Sequence, residues 1–375
     1  MSVETQKTSL RVLHVLGGLE RGGAETFVMN IYRNIHRDSI QFDFVIHTTD
    51  HGAFYDEITS LGGRIFSCPK YKGKNHFGYA KWWKTFFETH PEYKIIHSHV
   101  RSTAAIYLKI AKEFGIKTIS HSHSTSSGKG LAAIVKNVLQ YPLRYTADYL
   151  FACSKESGEW LFGKKAVKGP KFIEIKNSID LEKCSFNPVI RSKYREEMSL
   201  TEKIVYIHVG RLHPAKNHAF LLELFKKISE KDRNAVLLLV GEGELREQII
   251  NQITKLEIQE SVIMLGSRGD VCNLLQAADC FLFPSLWEGV PLTVIEAQAA
   301  GLPCLISDRV TTDVAISELV VSIPVDQGTK IWEEKVAELN YLRKDVRDKI
   351  ISNGYDSKTL SNWLEDFYFK RVNLK

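Results

Sequence analysis

The chain of 375 residues contains no run of 18 apolar residues, so no membrane-spanning helix is expected. It also lacks any Cys-x-x-Cys pair, which removes the usual signatures of a zinc ribbon or a dithiol redox centre. Its six cysteines (Cys68, Cys153, Cys184, Cys272, Cys280, Cys304) are scattered, several in apolar runs. They read as small buried hydrophobes of a reducing compartment, the cytoplasm. The polar stretch before Ser9 is not a signal-peptide pattern. No G-x-G-x-x-G fingerprint is present, which weakens a dinucleotide reading. There is no Asp-x-Asp motif, no low-complexity segment and no internal repeat.

What the chain does contain is 44% hydrophobic and 25% charged residues, the composition of a globular protein with full-sized cores. Its length suits two domains. Residues 1–180 carry 25 Lys and Arg against 16 Asp and Glu, a balance of +9, whereas residues 181–375 carry 25 against 28, a balance of −3. A basic half suits an anionic membrane surface or an acceptor bearing phosphate. Nucleic acid is not expected, because no binding motif accompanies the charge. Plain solubility explains the excess as readily.

Short Val- and Ile-rich runs, from Arg11–Leu16 to Val320–Ile323, alternate throughout with amphipathic segments of helical length. Nearly continuous apolar strands separated by helices indicate parallel sheets covered on both faces. The expected class is therefore α/β, with two doubly wound Rossmann-like domains and ligand crevices at the carboxyl ends of the strands. The first domain is assigned to residues 1–180 and the second to 181–354. A terminal helix, 355–375, would bury its aromatic face back across the first domain. The join falls near Asn177–Met198, where Asn187-Pro188 interrupts the pattern. One helix is expected over Ala132–Ala147, and the basic, apolar segment Lys129–Arg144 overlapping it is a candidate membrane-facing surface, with a core helix as the plainer alternative.

Five loops at strand ends carry candidate chemistry. Gly17, Gly18, Gly22 and Gly23 follow the first strand and open a helix, which suits either an anion-binding loop or a tight turn. Arg211 and Lys216 occupy the equivalent loop of the second half and suit a diphosphate, Arg as a planar fork and Lys as a point charge. Gly241-Glu242-Gly243 and Gly266-Ser267-Arg268-Gly269-Asp270-Val271 follow the next strands and suit the frame of a base, or mere turns. The stretch FLFPSLWEGVPLTVIEAQAAG places Glu288 on a loop and Glu296 on a helix, with the amides of Gly289, Val290 and Leu292 near the positive helix end. Two solvated acids on an ordinary strand-loop-helix unit fit this spacing equally. His97, His99, His121 and His123 crowd two strand ends. They are enough ligands for zinc, but with alternation along a strand the four need not converge, and no metal site is assigned.

Taken together, GGLERGGAE, HVGRLHPAKN, VGEGELR, GSRGDV, AADCFLFPS and EGVPLTVIE resemble, in order and spacing over almost the whole chain, the retaining glycosyltransferases of family 4. The opening LHVLGGLERGGAETFVMNIYR is most similar to enzymes of bacterial exopolysaccharide and capsule assembly. The resemblance implies the GT-B fold with an interdomain cleft, and a hexosyltransferase holding its nucleotide-sugar donor mainly in the C-terminal domain. It assigns Arg211 and Lys216 to the donor diphosphate, Glu288 to the transferred sugar, Glu296 to the ribose, and the loop before Val271 to the base. Gly289, Val290 and Leu292 supply amides, and Gly17, Gly18, Gly22 and Gly23 close over the phosphates. His121 is implied as the cleft histidine, with His123 an alternative alignment. No cofactor or metal is required on this reading, and the donor is a UDP-sugar by family habit. The acceptor is a glycan or a polyprenyl-diphosphate-linked sugar at the inner membrane face. A sugar-nucleotide epimerase and a catalytically silent glycan-binding subunit are the rival readings.

Overall fold

The computed structural model describes residues 9–124 and 130–373, with the side chains of 131, 132 and 373 outside that description. The chain forms two compact units, one of Met1–Ser178 with Ser357–Lys375 and one of Ile179–Asp356.

The first unit contains β1 (Leu10–Leu16), β2 (Ile40–Ile46), β3 (Ile65–Ser67), β4 (Ile95–Ser98), β5 (Lys117–Ser122), β6 (Tyr149–Ala152) and β7 (Phe172–Glu174), all parallel, in the order β3-β2-β1-β4-β5-β6-β7. The second contains β8 (Ile204–Val209), β9 (Ala235–Val240), β10 (Val262–Gly266), β11 (Cys280–Phe283), β12 (Cys304–Ser307) and β13 (Val320–Ile323), ordered β10-β9-β8-β11-β12-β13. Both sheets are doubly wound. Strand order reverses between β1 and β4 in one and between β8 and β11 in the other, the places where such sheets open a crevice.

Each sheet is apolar on both faces because helices cover both. In the first unit, helices His76–Thr89 and Ala104–Glu113 bury Trp83 and Tyr107 on one face. Helix Gly23–Asn34 and the terminal helix Ser357–Asn373 cover the other through Phe27, Tyr32, Leu364, Phe367 and Tyr368. The terminal helix is anchored by its Glu365 carboxylate, which accepts from the His36 backbone amide at 2.7 Å. Tyr355 stays out of that helix and lies in the core of the second unit instead.

Three sequence readings are corrected here. The single helix expected over Ala132–Ala147 is two, Leu131–Gln140 and Leu143–Thr146, because Pro142 has no N–H to continue the ladder. Lys129 lies outside the described residues. Asn187-Pro188 starts a helix, Pro188–Glu197, rather than interrupting the pattern. The Asn187 side chain accepts from the amides of Val189 and Ile190, and proline suits the first helical position. Cys184 and Cys272 form a disulfide, with Cα atoms 4.7 Å apart, instead of lying as separate thiols. The cause is local packing: helices Leu181–Cys184 and Val271–Ala277 lie against one another.

Candidate active site

In the second unit the two loops at the reversal of strand order are tied together. After β8, Gly210 precedes a 3-10 turn, Pro214–Lys216, whose first amides are capped by the His213 ring accepting from Ala215 N–H at 3.1 Å. Asn217 then adopts a left-handed conformation (φ 55°) and donates its amide to the Pro284 carbonyl, 3.2 Å away. The Leu286 amide donates to the Ala215 carbonyl at 2.7 Å. These bonds bring Lys216, after β8, against Glu288, after β11. Their ion pair is 2.7 Å long, with both side chains about one-seventh exposed (15% and 14%). The ammonium also stands 4.5 Å above the Phe283 ring, a cation–π contact.

Gly210 makes room for this. A Cβ on Gly210 would stand 2.6 Å from Lys216 Cε and 3.2 Å from Nζ. Gly241 is equally constrained, with φ at 139° and the Gly210 carbonyl where its side chain would be, so its role is to seat one loop on the other.

Arg211 does not share Lys216's carboxylate. It pairs with Glu244 at 3.1 Å on the exposed side of the loop. Arg268 is engaged within its own turn through two bonds to Asp270, at 2.8 and 2.6 Å. Those bonds hold the Asp270 carboxyl down to about 2. Val271 opens the helix that follows.

Gly289 and Val290 lead into Pro291 and the helix Leu292–Ala299, whose start has no side-chain cap. In its first turn the Val294 amide donates to the Pro291 carbonyl at 3.1 Å, and the amides before it have no intrahelical acceptor. Glu296, one turn in, differs from Glu288: burial pushes its carboxyl up to about 7, with Lys183 opposing weakly. It lies within 4.8 Å of the Cys184 and Cys272 sulfurs. The sequence reading passed over Ser285 and Thr293, whose buried hydroxyls have no partner among the described residues. Both lie inside the motif already singled out, so their position was visible and their burial was not.

In the first unit, Gly17 and Gly23 have open space where a side chain would stand, and Gly22 sits beneath the Glu25 carboxylate. That acid occupies the start of helix Gly23–Asn34, and burial raises its proton affinity. Gly18 stands beside Thr48.

The histidines do converge. Residues two apart on a strand share a face, and β4 lies in parallel register between β1 and β5. His14 is aligned with His97, and His99 and His121 are the residues that follow the aligned pair Ser98 and Ser120 of β4 and β5. Ring nitrogens meet at 3.0 Å (His14 Nδ1, His99 Nε2), 3.2 Å (His97 Nε2, His121 Nδ1) and 2.8 Å (His99 Nδ1, His123 Nε2), and Tyr368 meets His97 Nδ1 at 2.7 Å. His121 is 0% exposed. His123, just beyond β5, is part-buried.

Residues 21–183 match the profile of Glycosyltransferase Family 4, and residues 190–357 that of Glycosyl transferases group 1. EpsF of Bacillus subtilis (strain 168), itself only provisionally assigned as a glycosyltransferase, is 32% identical over 93% of both chains. The UDP-Gal:alpha-D-GlcNAc-diphosphoundecaprenol alpha-1,3-galactosyltransferase of Escherichia coli is 29% identical over 75% of this chain and 76% of its own. The crystal structure of Anabaena HepE in complex with UDP-glucose superposes with a TM-score of 0.68 at 18% identity, covering 96% of this chain and 98% of that one, which shows the common GT-B fold. With two doubly wound sheets, both halves matched and a full-length relative, the chain belongs to the family 4 glycosyltransferases.

Proposed function

We propose that the protein transfers a hexose, with retention of configuration, from a UDP-sugar to a glycan or polyprenyl-diphosphate-linked acceptor in bacterial exopolysaccharide or capsule assembly. The observation that carries this is the Lys216–Glu288 pair, locked where the strand order of the second sheet reverses.

An incoming diphosphate competes with Glu288 for the Lys216 ammonium, and Arg211 is free to leave its exposed partner. Fixed positive charge there stabilises the negative charge that develops on the leaving UDP, so no protein acid is needed for departure. Glu288, released from Lys216, is left to accept hydroxyls of the sugar, and Glu296 those of the ribose. The reaction is then front-face substitution through a short-lived oxocarbenium–diphosphate ion pair. UDP is favoured because the E. coli relative is named for UDP-Gal and HepE was solved with UDP-glucose. A lipid-linked acceptor is favoured because that same relative is named for a diphosphoundecaprenol-linked sugar.

The structure also offers a surface for such an acceptor. Ile134, Val135, Val138, Tyr141 and Tyr145 are exposed on helices Leu131–Gln140 and Leu143–Thr146 and the turn between them, with Lys136 and Arg144 on the same segment. We assign this face to the membrane interface, where apolar side chains embed and cations meet anionic headgroups. Among the described residues no helix is long and apolar enough to cross a membrane.

A thermal-shift screen of nucleotide sugars tests the donor, with UDP-sugars expected to stabilise the chain and GDP-sugars not. Transfer to an added lipid-linked acceptor, with the anomeric configuration read by NMR, tests the reaction. Stabilisation with no transfer, and epimerised donor as the product, would overturn it.

A further inference from the structure

The histidine cluster plays no part in the chemistry above, yet it occupies the β1/β4 reversal of the first sheet, the corresponding crevice position. A neutral imidazole carries one N–H and one lone pair, and burial disfavours the charged form of all five rings. One assignment of the protons uses three of the four contacts and leaves the His99–His123 contact as two facing lone pairs, with the His123 proton on Nδ1. His99 donates Nε2–H to His14 Nδ1, leaving a lone pair on Nδ1. His121 donates Nδ1–H to His97 Nε2, leaving a lone pair on Nε2, an atom buried without a partner among the described residues. His97 in turn donates Nδ1–H to the Tyr368 oxygen. His123 faces His99 Nδ1 through Nε2, with Asn177 beside its ring.

Three lone pairs, on His99, His121 and His123, therefore point into one spot. Ligand atoms of these three residues lie within 4.8 Å of one another. Three nitrogens at tetrahedral zinc distances would stand roughly 3.3 Å apart, so the 2.8 Å His99–His123 pair has to open slightly and His121, within 4.8 Å of both, stays in reach. Two of the rings have the backing that metal-bound histidines commonly show, a second nitrogen donating to a fixed acceptor. His14, His97 and Tyr368 supply it. Phe27 closes the spot from above, its ring edge-on to His121 at 5.0 Å. His123 gives the only part-exposed edge of the trio.

We infer that His99, His121 and His123 bind a late-transition divalent ion, Zn2+ by preference, with a fourth position open at the His123 edge for water or a substrate oxygen. Three imidazoles without a hard carboxylate select against Mg2+ and Ca2+. This site is distinct from the Lys216–Glu288 pair and stands whether or not the donor assignment above is correct.

The test is titration of the purified, metal-stripped full chain with Zn2+ alone, read by calorimetry and by elemental analysis after desalting, with Mg2+ as comparison. One Zn2+ per chain is expected, with a rise in Tm that Mg2+ does not produce. His123→Ala should abolish stoichiometric binding, His97→Gln should weaken it about 10–100-fold by freeing the His121 ring, and exposed His51→Ala should change nothing. Co2+ in place of Zn2+ should give visible ligand-field bands that vanish in His123→Ala. Should His123→Ala unfold, the His97→Gln affinity and the Co2+ spectrum of the unaltered chain decide the matter. Absence of stoichiometric Zn2+ from the folded chain, or undiminished binding in folded His123→Ala, would overturn the inference.

Discussion

A missing side chain at Gly210 decides where Lys216 can stand. Gly210→Ala places a methyl group against Cε of that lysine, and the long, flexible side chain yields more readily than backbone would. We expect folding stability to change by at most about 1–3 kcal/mol, while kcat/KM falls at least about 100-fold because the ammonium is displaced. Lys216→Ala should abolish transfer with the fold intact. If Gly210→Ala transferred sugar normally while Lys216→Ala was dead, steric control by Gly210 would be wrong and the cation assignment would survive. Glu296 supports a prediction of sign. Its folded-state pKa, about 7, lies above the usual carboxylate value of 4.5, so the folded chain binds the proton more tightly than the unfolded one. Stability therefore falls as pH rises from about 4.5 to 7 and levels off above, by at most about 3 kcal/mol. Glu296→Gln should raise Tm at pH 8 and leave it unchanged at pH 4; equal Tm values at pH 8 would contradict the buried carboxylate. If the ionised form binds ribose, donor KM should rise below pH 7 in the unaltered chain and stay flat in Glu296→Gln. Residue-level legibility was uneven for a physical reason. Lys216 and Glu288 were visible as members of family motifs, but their 2.7 Å pairing spans two loops that only the sheet order brings together. The histidines were visible too, and their convergence was not, because it depends on the β1–β4–β5 register.

Strands were the most readable elements, since the central ones are runs rich in Val, Ile, Leu or Phe buried on both faces, as in Ala235–Val240 where every residue is buried. Helix Pro188–Glu197 escaped the reading because it buries none of its residues and so carries no apolar stripe; only its Asn-Pro start signals it. Helix Leu131–Gln140 fails in the opposite sense, with more apolar surface than the core uses. Ile134, Val135 and Val138 are 57–67% exposed. If this face meets the membrane, Val138→Glu should weaken co-sedimentation with vesicles containing anionic lipid about tenfold or more, the equivalent of one lost apolar side chain. Transfer to a short, water-soluble acceptor analogue should be unaffected. Unchanged sedimentation would assign the patch to another partner.

The two units differ in how the chain builds them. Residues 179–356 are one continuous segment with its own sheet and cores on both faces. The other unit is discontinuous: its sheet is complete by Glu174, yet one face needs Leu364, Phe367 and Tyr368 from a helix 180 or more residues further on. Tyr368 also closes the hydrogen-bonded chain through His97. Removing that helix bares apolar surface over β1, β4, β5 and β6 and leaves the histidine wire without its end. Expressed alone, 179–356 should therefore unfold cooperatively and retain the UDP-induced Tm rise, since Lys216, Glu288 and Glu296 all lie within it. Residues 1–178 alone should aggregate or melt without cooperativity, and recover when joined by a linker to 357–375. A stable, cooperatively folding 1–178 would mean that the terminal helix only decorates the sheet. Loss of the UDP response in a well-folded 179–356 would move the donor contacts beyond that unit.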